Sequence, residues 1–581
     1  MGEVKQKIKE SKIIPEIKKL LINDCNNQLE GTFGFQKDGT LEDVSNLPNI
    51  KENSSEYNAR KKIQIFISNK TKSGMSPRQA REDLIKEYSF TYINRFIALK
   101  MLEERNIIRG TISKGFNSKE FIYYMAENPE DEELYRKGEK YKAYKRFFSY
   151  KCRILSEDEE VKLLFDPDSL VSQLFPEEIT LNKIFALINQ ENLNDIWKED
   201  EVIGWVYQYF IEDDKKRVFN KIYKDKKKMG LEDIASATQI FTPKWIVRYL
   251  VQNTLGRLWI RMHPDSNLRE KLNYYVPNEG DKELVEFKCV KDITLLDPAC
   301  GTMHFGMVAF DLFYDMYLEE LKMQGRDGWP ENASVDSPDD IASAIIENNI
   351  YGIEIDFRSI QLSALSLYLK AKSKNKDASI QKYNLVCTNI SNFTDEDIKI
   401  FIDDISPKYE ITKKLLTLII PELNKAYYLG SLLKIEDTIN NFISKEKKFL
   451  ADKFKEQLDL FATEEQRQLA FSEKVTWDDV RDESLMAMEE FVSKSNGGRE
   501  SYLALESKKG IGLINALIKK HSIVLTNPPF SGRRNWRNDL SLEIKNIYKE
   551  WSIDLYTCFI NRCLNLTETG GLTGLISIHT F

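Results

Sequence analysis

The sequence predicts an α/β fold of the Rossmann-like kind, with large helical regions before the sheet and inserted into it. Apolar residues recur every three or four positions between about residues 56 and 230, which is the periodicity of amphipathic helices. After about residue 285, short apolar runs alternate with helical segments, a pattern typical of a parallel sheet covered on both faces. A charged and mostly helical stretch interrupts that alternation from about residue 394 to 515.

Composition excludes several classes of protein. The chain has 581 residues, of which 42% are hydrophobic, and a formal net charge of -7. Its longest apolar runs, such as Leu415 to Ile420, are far shorter than the roughly 20 residues of a membrane span, and no leader sequence is visible. We therefore expect a cytoplasmic protein without membrane contact. The seven cysteines and four histidines are widely spaced, so neither a metal site nor a disulfide framework is predicted.

The chain is expected to divide into five parts. A lysine-rich and then turn-rich leader, 1–55, is expected to be partly disordered and precedes a helical domain, 56–230. The sheet domain follows in two halves, 231–393 and 516–581, and a helical insertion, 394–515, separates them.

A small-residue turn, Asp297-Pro298-Ala299-Cys300-Gly301, follows the apolar run Ile293 to Leu296 and precedes a helix. A strand, a tight turn and a helix start allow a ligand to approach free backbone N–H groups, as in nucleotide-like cofactor sites. Asp297, at the start of the turn, would repel a phosphate group, so a phosphate-binding loop is disfavoured. An ordinary strand–turn–helix junction is the alternative interpretation.

Polar residues end the next two predicted strands. Ile350 to Ile353 leads to Glu354 and Asp356, at the position that binds ribose hydroxyls in doubly wound folds. Glu354 is the preferred residue because it follows the strand directly, and a surface acid before a helix is the alternative. Leu385 to Cys387 leads to Asn389, whose side chain is expected to meet a purine edge.

The tetrapeptide Asn527-Pro528-Pro529-Phe530 ends another predicted strand, Ile523 to Thr526. The two prolines restrict the turn and remove its N–H donors, which leaves the Asn527 side-chain oxygen and the Pro528 carbonyl as acceptors. Phe530 offers a flat apolar face. Two acceptors and a ring suit an exocyclic amino group on a base that has left its stack.

Together and in this order, the loop Asp297 to Gly301 and the tetrapeptide resemble motifs I and IV of the adenine-N6 DNA methyltransferases. Thr238 to Pro243, followed by the helix Trp245 to Val251, resembles motif X of that family. Three longer stretches resemble the PglX-type methyltransferases of BREX phage-defence systems: Ile203 to Tyr209, Phe241 to Leu258 and Leu429 to Lys434.

The resemblance implies a class I S-adenosylmethionine-dependent methyltransferase fold and an adenine-specific activity in a BREX-like defence or restriction-modification system. It implies double-stranded DNA with a flipped adenine as substrate, and other defence-system proteins as partners. The residues implied in catalysis are Asn527, Pro528, Pro529 and Phe530. Those implied in binding S-adenosylmethionine are Thr242, Pro243, Asp297, Pro298, Ala299, Cys300, Gly301, Glu354, Asp356 and Asn389.

Two features depart from the family pattern. Met303 stands where the family usually has a glycine, and its side chain is expected to crowd the cofactor pocket. After Phe530 only one helix, Leu555 to Leu564, and one strand, Gly571 to Ile578, can be placed, although the family's sheet has two further strands. The sequence therefore suggests a truncated, split or frameshifted member, whose sheet edge near Phe581 is expected to be exposed and prone to aggregation unless another chain completes it.

Three basic patches are candidates for DNA contact, because the net charge of -7 excludes a generally cationic surface. They are Lys140 to Arg153, with interleaved aromatic residues, Lys215 to Lys228, and Arg533 to Arg537. A solvated helix face is the alternative for each of them. Two other functions stay open: a non-catalytic DNA-binding or partner-binding subunit or remnant, and a methyltransferase for RNA or for a protein glutamine.

Overall fold

The computed structural model describes residues 3–47, 50–52, 54–72, 74–230, 233–234, 239–282, 285, 288–390, 394–404, 410–445, 482–484, 486–487, 490 and 509–578. Its C-terminal part contains a parallel sheet of five strands in the order β3-β2-β1-β4-β5. The strands are β1 (Leu295–Asp297), β2 (Ile350–Glu354), β3 (Asn384–Cys387), β4 (His521–Thr526) and β5 (Thr567–Leu575). Each of the five strand regions expected from the apolar runs is a strand.

Successive residues of the central strands enter opposite cores, as the twofold repeat of a strand requires. Leu295 and Ile523 pack on one face of the sheet, and their neighbours Leu296 and Val524 pack on the other. All six residues of β4 are buried, so both faces are covered. This explains why the strands appear in the sequence as continuous apolar runs.

Helices cover both faces of the sheet. One face carries α13 (Lys244–Val251), α14 (Arg257–Met262), α15 (His304–Met323) and α16 (Ile341–Ala344). The other carries α19 (Glu410–Leu423), α20 (Ala426–Leu429), α21 (Asn538–Tyr548) and α22 (Leu555–Leu566). The insertion therefore supplies part of a sheet face. Its first helix is α18 (Asp395–Asp404), and the predicted helix Lys445 to Ser472 lies almost wholly outside the described residues.

The N-terminal part is helical. Its helices are α1 (Glu3–Ser11), α2 (Ile13–Asn27), α3 (Ser55–Lys72), α4 (Pro77–Glu104), α5 (Lys119–Glu127), α6 (Pro129–Arg136), α7 (Lys140–Leu155), α8 (Glu159–Phe165), α9 (Leu170–Gln173), α10 (Glu178–Ile188), α11 (Val202–Phe210) and α12 (Glu212–Tyr223). The long α4 begins with a capping box between Ser76 and Gln79 and is buried along most of its length.

Residues 3–27, within the predicted leader, form α1 and α2. α2 buries Ile13, Ile17 and Leu21 completely in the core of the helical part. The lysines that dominated the sequence pattern lie on the outer face, and they obscured an apolar stripe at helical spacing.

One helix joins the helical part to the sheet. α17 (Phe357–Lys374) follows β2, and its residues Leu362, Leu365 and Leu369 lie within the core of the N-terminal helices. Gln361 Nε2 donates to the Leu163 carbonyl at 3.0 Å, across the same interface. Because α17 follows a strand of the sheet and is embedded in the core of the N-terminal helices, it fixes the position of the helical part relative to the sheet.

A search of the described residues for a helix long and apolar enough to cross a membrane gave none.

Gly204 of α11 allows a close approach that a methyl group would prevent. A β-carbon at this position would lie 1.9 Å from Phe241 Cε2, and the Phe241 ring is itself held by stacking on His304 with 4.3 Å between ring centroids. We expect Gly204→Ala to lower the free energy of unfolding by about 1–3 kcal/mol, measured by chemical denaturation. Gly31→Ala is the matched control, since no atom lies within 4 Å of its added methyl. Equal stability of the two variants would contradict this account.

Candidate active site

A cavity that is open to solvent lies at the carboxyl ends of β1, β2 and β4. In open α/β sheets this end of the strands is where ligands bind. Of the residues proposed from sequence, six line its wall: Pro298, Ala299, Gly301, Glu354, Asn527 and Pro529. The structure thus brings together the ends of three strands that are up to about 230 positions apart in the chain.

The turn after β1 is held by backbone hydrogen bonds. The Ala299 N–H donates to Asp297 Oδ1 at 3.1 Å, and the Cys300 N–H donates to the Ile353 carbonyl at 3.0 Å. Gly301 has a φ of +56°, which favours glycine, and its N–H donates to Glu354 Oε2 at 2.8 Å. Asp297 lies beneath the turn, so its carboxyl supports the loop from below.

Two carboxyl groups are buried at this turn. Burial raises the pKa of Asp297 to about 7, against the Ala299 N–H that favours its charged form. Burial likewise raises the pKa of Glu354 to about 7, although three N–H groups, of Gly301, Ile355 and Asp356, donate to it. The site therefore holds two acids that a nearby cation would return to the charged form.

A segment of the insertion forms another wall. We call Gly430–Leu433 the strap, and its residues Gly430 to Leu432 line the cavity together with Tyr428 and Leu429. Ser431 Oγ donates to the Pro298 carbonyl at 2.6 Å, which connects the strap to the turn after β1. Gly430 has φ +57° and ψ -133°, a conformation that side chains disfavour.

Helices α21 and α22 fix the strap from behind. Arg562, fully buried, donates from Nε to the Ser431 carbonyl at 2.6 Å and from one terminal nitrogen to the Leu433 carbonyl at 2.9 Å. The Tyr548 hydroxyl donates to the Leu432 carbonyl at 2.8 Å. Glu436 pairs with the Arg562 guanidinium. Every carbonyl from 431 to 433 is thus held by a buried side chain.

Asn527 presents a polar group to the cavity. Its amide nitrogen donates to Thr242 Oγ1 at 3.0 Å, whereas its buried Oδ1 has no hydrogen-bond partner among the described residues. A buried acceptor without a donor is costly, by about 1–3 kcal/mol. The arrangement therefore suits a ligand that brings an N–H donor to Asn527.

The other residues of the tetrapeptide, and the neighbouring Thr242 and Pro243, differ in their burial and contacts. The Phe530 ring is half-buried and packs against the Tyr556 ring at 5.8 Å between centroids, and it is not part of the cavity wall. Pro528 is buried. Thr242 is buried, lies off the cavity wall and accepts from the Asn527 amide, whereas Pro243 is exposed and precedes α13.

Asp356 and Asn389 lie outside this cavity and line a second one, between α4 and the ends of β2 and β3. Asp356 caps α17 by accepting from the Arg358 N–H at 3.0 Å, and it also accepts from the Tyr207 hydroxyl and from Gln239. Its side chain therefore connects the helical part to the sheet. Cys300 also lies off the wall, with its thiol 3.8 Å from Ser363 Oγ.

Met303 does not crowd the cavity, in contrast to the expectation from sequence. Its side chain is fully buried in the core between α15 and β2: a β-carbon on Gly306 would lie 2.6 Å from Met303 Cε, and one on Gly352 would lie 3.1 Å from Sδ. Met303 has a φ of +67°, and this left-handed backbone turns its side chain inward. The methionine that stands here in place of the family's glycine therefore affects the packing beneath the turn.

Several wall residues were not proposed from the motifs. They come from α11, from the segment before α13, from the ends of β1 and β2, and from α20 to α22: Gly204, Tyr207, Gln208, Gln239, Phe241, Thr302, Ile355, Leu555 and Phe559 are among them. A signal was present for some, because the stretches Ile203 to Tyr209 and Leu429 to Lys434 carried the family resemblance. Thr238, at the start of the motif X-like segment, lies outside the described residues.

The sequence comparisons indicate the class of this site. The Eco57I restriction-modification methylase family matches residues 348–581. The adenine-specific methyltransferase BrxX of Escherichia coli O9:H4 (strain HS) is 25% identical over 87% of this chain and 40% of its own length. The adenine-specific methyltransferase PglX of Lacticaseibacillus casei (strain Zhang) is 25% identical over 97% of this chain and 46% of its own length.

The predicted resemblance to PglX-type methyltransferases is therefore confirmed, and a methylase family implies a methyl donor. The chain spans less than half the length of these two relatives. Among solved structures, a DrdV–DNA complex aligns with all of this chain and 36% of its own, with 10% identity and a TM-score of 0.40.

Met303→Gly separates the two roles considered for this residue. Removing a buried side chain of this size costs about 2–5 kcal/mol, and relief of the left-handed backbone returns about 1–2 kcal/mol. We expect the free energy of unfolding to fall by about 1–3 kcal/mol, with donor affinity within twofold of wild type by calorimetry. Met303→Leu, which keeps the volume, is the control. Tighter donor binding by the glycine variant would restore the crowding hypothesis.

The two buried acids predict a pH dependence of stability. Their pKa values rise from 3.8 and 4.5 to about 7 on folding, so the folded state holds more protons between those limits. Their contribution to the free energy of unfolding is complete below about pH 4 and is lost as the pH rises through about 7. We expect the Tm of the donor-free chain to fall from pH 5 to pH 8, and less steeply in Glu354→Gln. An equally steep fall in Glu354→Gln, or a similar flattening in the exposed control Glu331→Gln, would contradict this assignment.

Proposed function

We propose that this chain carries the donor and catalytic sites of an adenine-specific DNA methyltransferase of the PglX type. In this proposal the sheet is a class I methyltransferase fold, the methyl donor is S-adenosylmethionine, and the product is N6-methyladenine in DNA of a BREX-like defence or restriction-modification system. The observation that carries the proposal is the unpaired Asn527 Oδ1 at one cavity with the Gly301 turn and Glu354.

S-adenosylmethionine fits the residues at the turn. The donor has a sulfonium and an ammonium group, and its methyl is an electrophilic carbon. Asp297 and Glu354 are buried acids whose pKa of about 7 leaves them poorly charged without a cation, so a cationic ligand is favoured over an anionic one. Space for the ligand exists at Gly301, because a β-carbon there would meet no atom within 4 Å.

Residues of the cavity would hold the donor at both ends. Glu354 would accept from a ribose hydroxyl through Oε2, which accepts one backbone N–H, from Gly301, whereas Oε1 already accepts two. Ile355, which follows β2, and Pro529, which lies beyond β4, give the cavity apolar surface. The strap would close the cavity against water and keep the Pro298 carbonyl in place through Ser431.

The tetrapeptide would orient the target base. Thr242 fixes one end of the Asn527 amide, and the other end is left to accept a hydrogen from the adenine amino group. With the Pro528 carbonyl as second acceptor, both amino hydrogens are engaged, and the nitrogen lone pair turns from the ring toward the methyl. Phe530, supported by Tyr556, would stack on the extruded base.

Two other functions remain as alternatives. A non-catalytic subunit or remnant would bind DNA or partner proteins without binding the donor. A methyltransferase for RNA or for a protein glutamine would bind the donor and use Asn527 in the same way, because either substrate presents a planar amino nitrogen. Methyl transfer from labelled donor to duplex DNA, RNA and protein separates these functions.

Asn527→Ala tests the catalytic assignment. We expect the rate of methyl transfer to adenine to fall by about 10²–10³-fold or more, because the acceptor that positions the amino group is removed. Donor affinity by calorimetry should stay within a few-fold, since the amide meets the base. Asn348→Ala is the control, because this exposed asparagine lies just before β2, at the opposite end of that strand from the cavity. Unchanged transfer by the Asn527 variant would sink the assignment, and wild-type chain that binds no donor would overturn the proposed function.

A further inference from the structure

The three basic patches differ in how far their side chains are engaged by other residues of the chain. On α7, Tyr144, Phe147 and Phe148 are core residues, so the aromatic interleaving reflects packing. Lys151 is buried against Glu120 at 3.1 Å, and Arg146 pairs with Asp131 at 2.9 Å. This patch is an amphipathic helix whose cations largely serve its own fold.

The cations of α12 are also engaged within the chain. Lys216 pairs with Glu212, Arg217 with Asp214, and Lys221 with Asp233, at 2.9, 3.1 and 2.6 Å. Lys215 donates to the Gln239 carbonyl at 2.9 Å. The second patch therefore reduces to its last part, the segment Lys224–Lys228, which is exposed throughout.

That segment and the third patch meet through the backbone. The Met229 N–H donates to the Asn535 carbonyl at 2.7 Å, and the Arg537 N–H donates to the Met229 carbonyl at 3.0 Å, in a parallel bridge. Met229 and Trp536 are buried beneath this bridge. Two segments about 300 positions apart are thereby held side by side, and we call Lys224–Lys228 with Arg533–Arg537 the basic ledge.

The basic ledge concentrates positive charge on an acidic protein. Its two segments contain seven basic residues, all exposed, and one acid, Asp225, whereas the whole chain has a net charge of -7. Arg537 is paired with Asp539 at 3.1 Å, and Arg533 donates to Ser541 at 2.9 Å, which orients both guanidinium groups. Such local cation density is what counterion release from a polyanion requires.

The ledge borders the candidate active site. Arg533 follows Phe530 by three residues, and α21, which begins directly after Arg537, contributes Leu540 and Ile544 to the cavity wall. The Arg533 N–H donates to the Ile553 carbonyl at 3.0 Å, which attaches the loop to the start of α22. A polyanion on the ledge would therefore lie beside the tetrapeptide.

We propose that the basic ledge binds the phosphate backbone of duplex DNA next to the extruded adenine. This inference rests on the proposed function for its choice of polyanion. Exposed lysine and arginine side chains on two adjacent segments suit a row of phosphates, and phosphate contacts position a protein on DNA without reading its sequence. The ledge thus sets where the base leaves the stack, while recognition of the target sequence belongs to other contacts.

The test compares two triple variants that remove equal charge. The first, K226Q/K227Q/K228Q, changes the ledge; the control, K137Q/K140Q/K142Q, changes exposed lysines at the start of α7 and just before it. Duplex binding is measured by fluorescence anisotropy on a labelled 30-base-pair DNA, from about 50 to 200 mM salt, with donor affinity measured in parallel. A second ledge variant, R533Q/R534Q, tests the other segment.

We expect the ledge variants to weaken duplex binding at low salt by tenfold or more. The slope of log K against log salt should become shallower by about 0.9 for each phosphate that the variant no longer neutralises. Donor affinity should be unchanged, and the control should bind like wild type. Equal losses in ledge and control variants, wild-type affinity in both ledge variants, or tighter binding of a single-stranded RNA of equal length would each overturn the inference. Ledge-dependent duplex binding without any methyl transfer would instead reject the proposed function and leave the ledge standing.

Discussion

The Glu354 carboxylate is the contact on which the candidate site depends. It accepts from the Gly301 N–H of the neighbouring strand's turn and from two N–H groups of its own strand end, so it joins β1 to β2 at the carboxyl edge of the sheet. Burying an acid is unfavourable, and three donors only partly compensate, as its pKa of about 7 indicates. A fold selected for stability alone would place an apolar residue here. The acid is better explained by a ligand that completes its environment.

A second buried charge supports the opposite wall. Arg562 lies behind the strap with full burial and pairs with Glu436, an arrangement that often gives no net stability over an apolar replacement. The pair instead fixes the position of the strap. Arg562 and Tyr548 bind three consecutive strap carbonyls, and the Ser431 hydroxyl binds the turn after β1. The insertion is thus a structural part of the site as well as an addition to the sheet domain.

The sequence predicted the positions of the strands well because parallel strands buried on both faces leave continuous apolar runs, as in β4. The roles of the residues at the strand ends stay predictions. The sequence predicted less well where side-chain direction decides the outcome. Met303 and Asp356 stand at motif positions, yet a left-handed backbone turns the first into the core and a helix cap engages the second. The contributions of α11 and the strap to the cavity could be located only by family resemblance, since packing between distant segments has no local signature.

Charge is arranged at this site in two zones of opposite character. Inside, Asp297 and Glu354 favour a cationic ligand through their buried carboxyl groups. Outside, the basic ledge favours a polyanion, and it begins only three residues after Phe530. A single cavity edge therefore separates a region for a positively charged small molecule from a region for a negatively charged polymer. The proposed methyl transfer requires two such ligands to meet at that edge, where the Asn527 oxygen has no hydrogen-bond donor among the described residues.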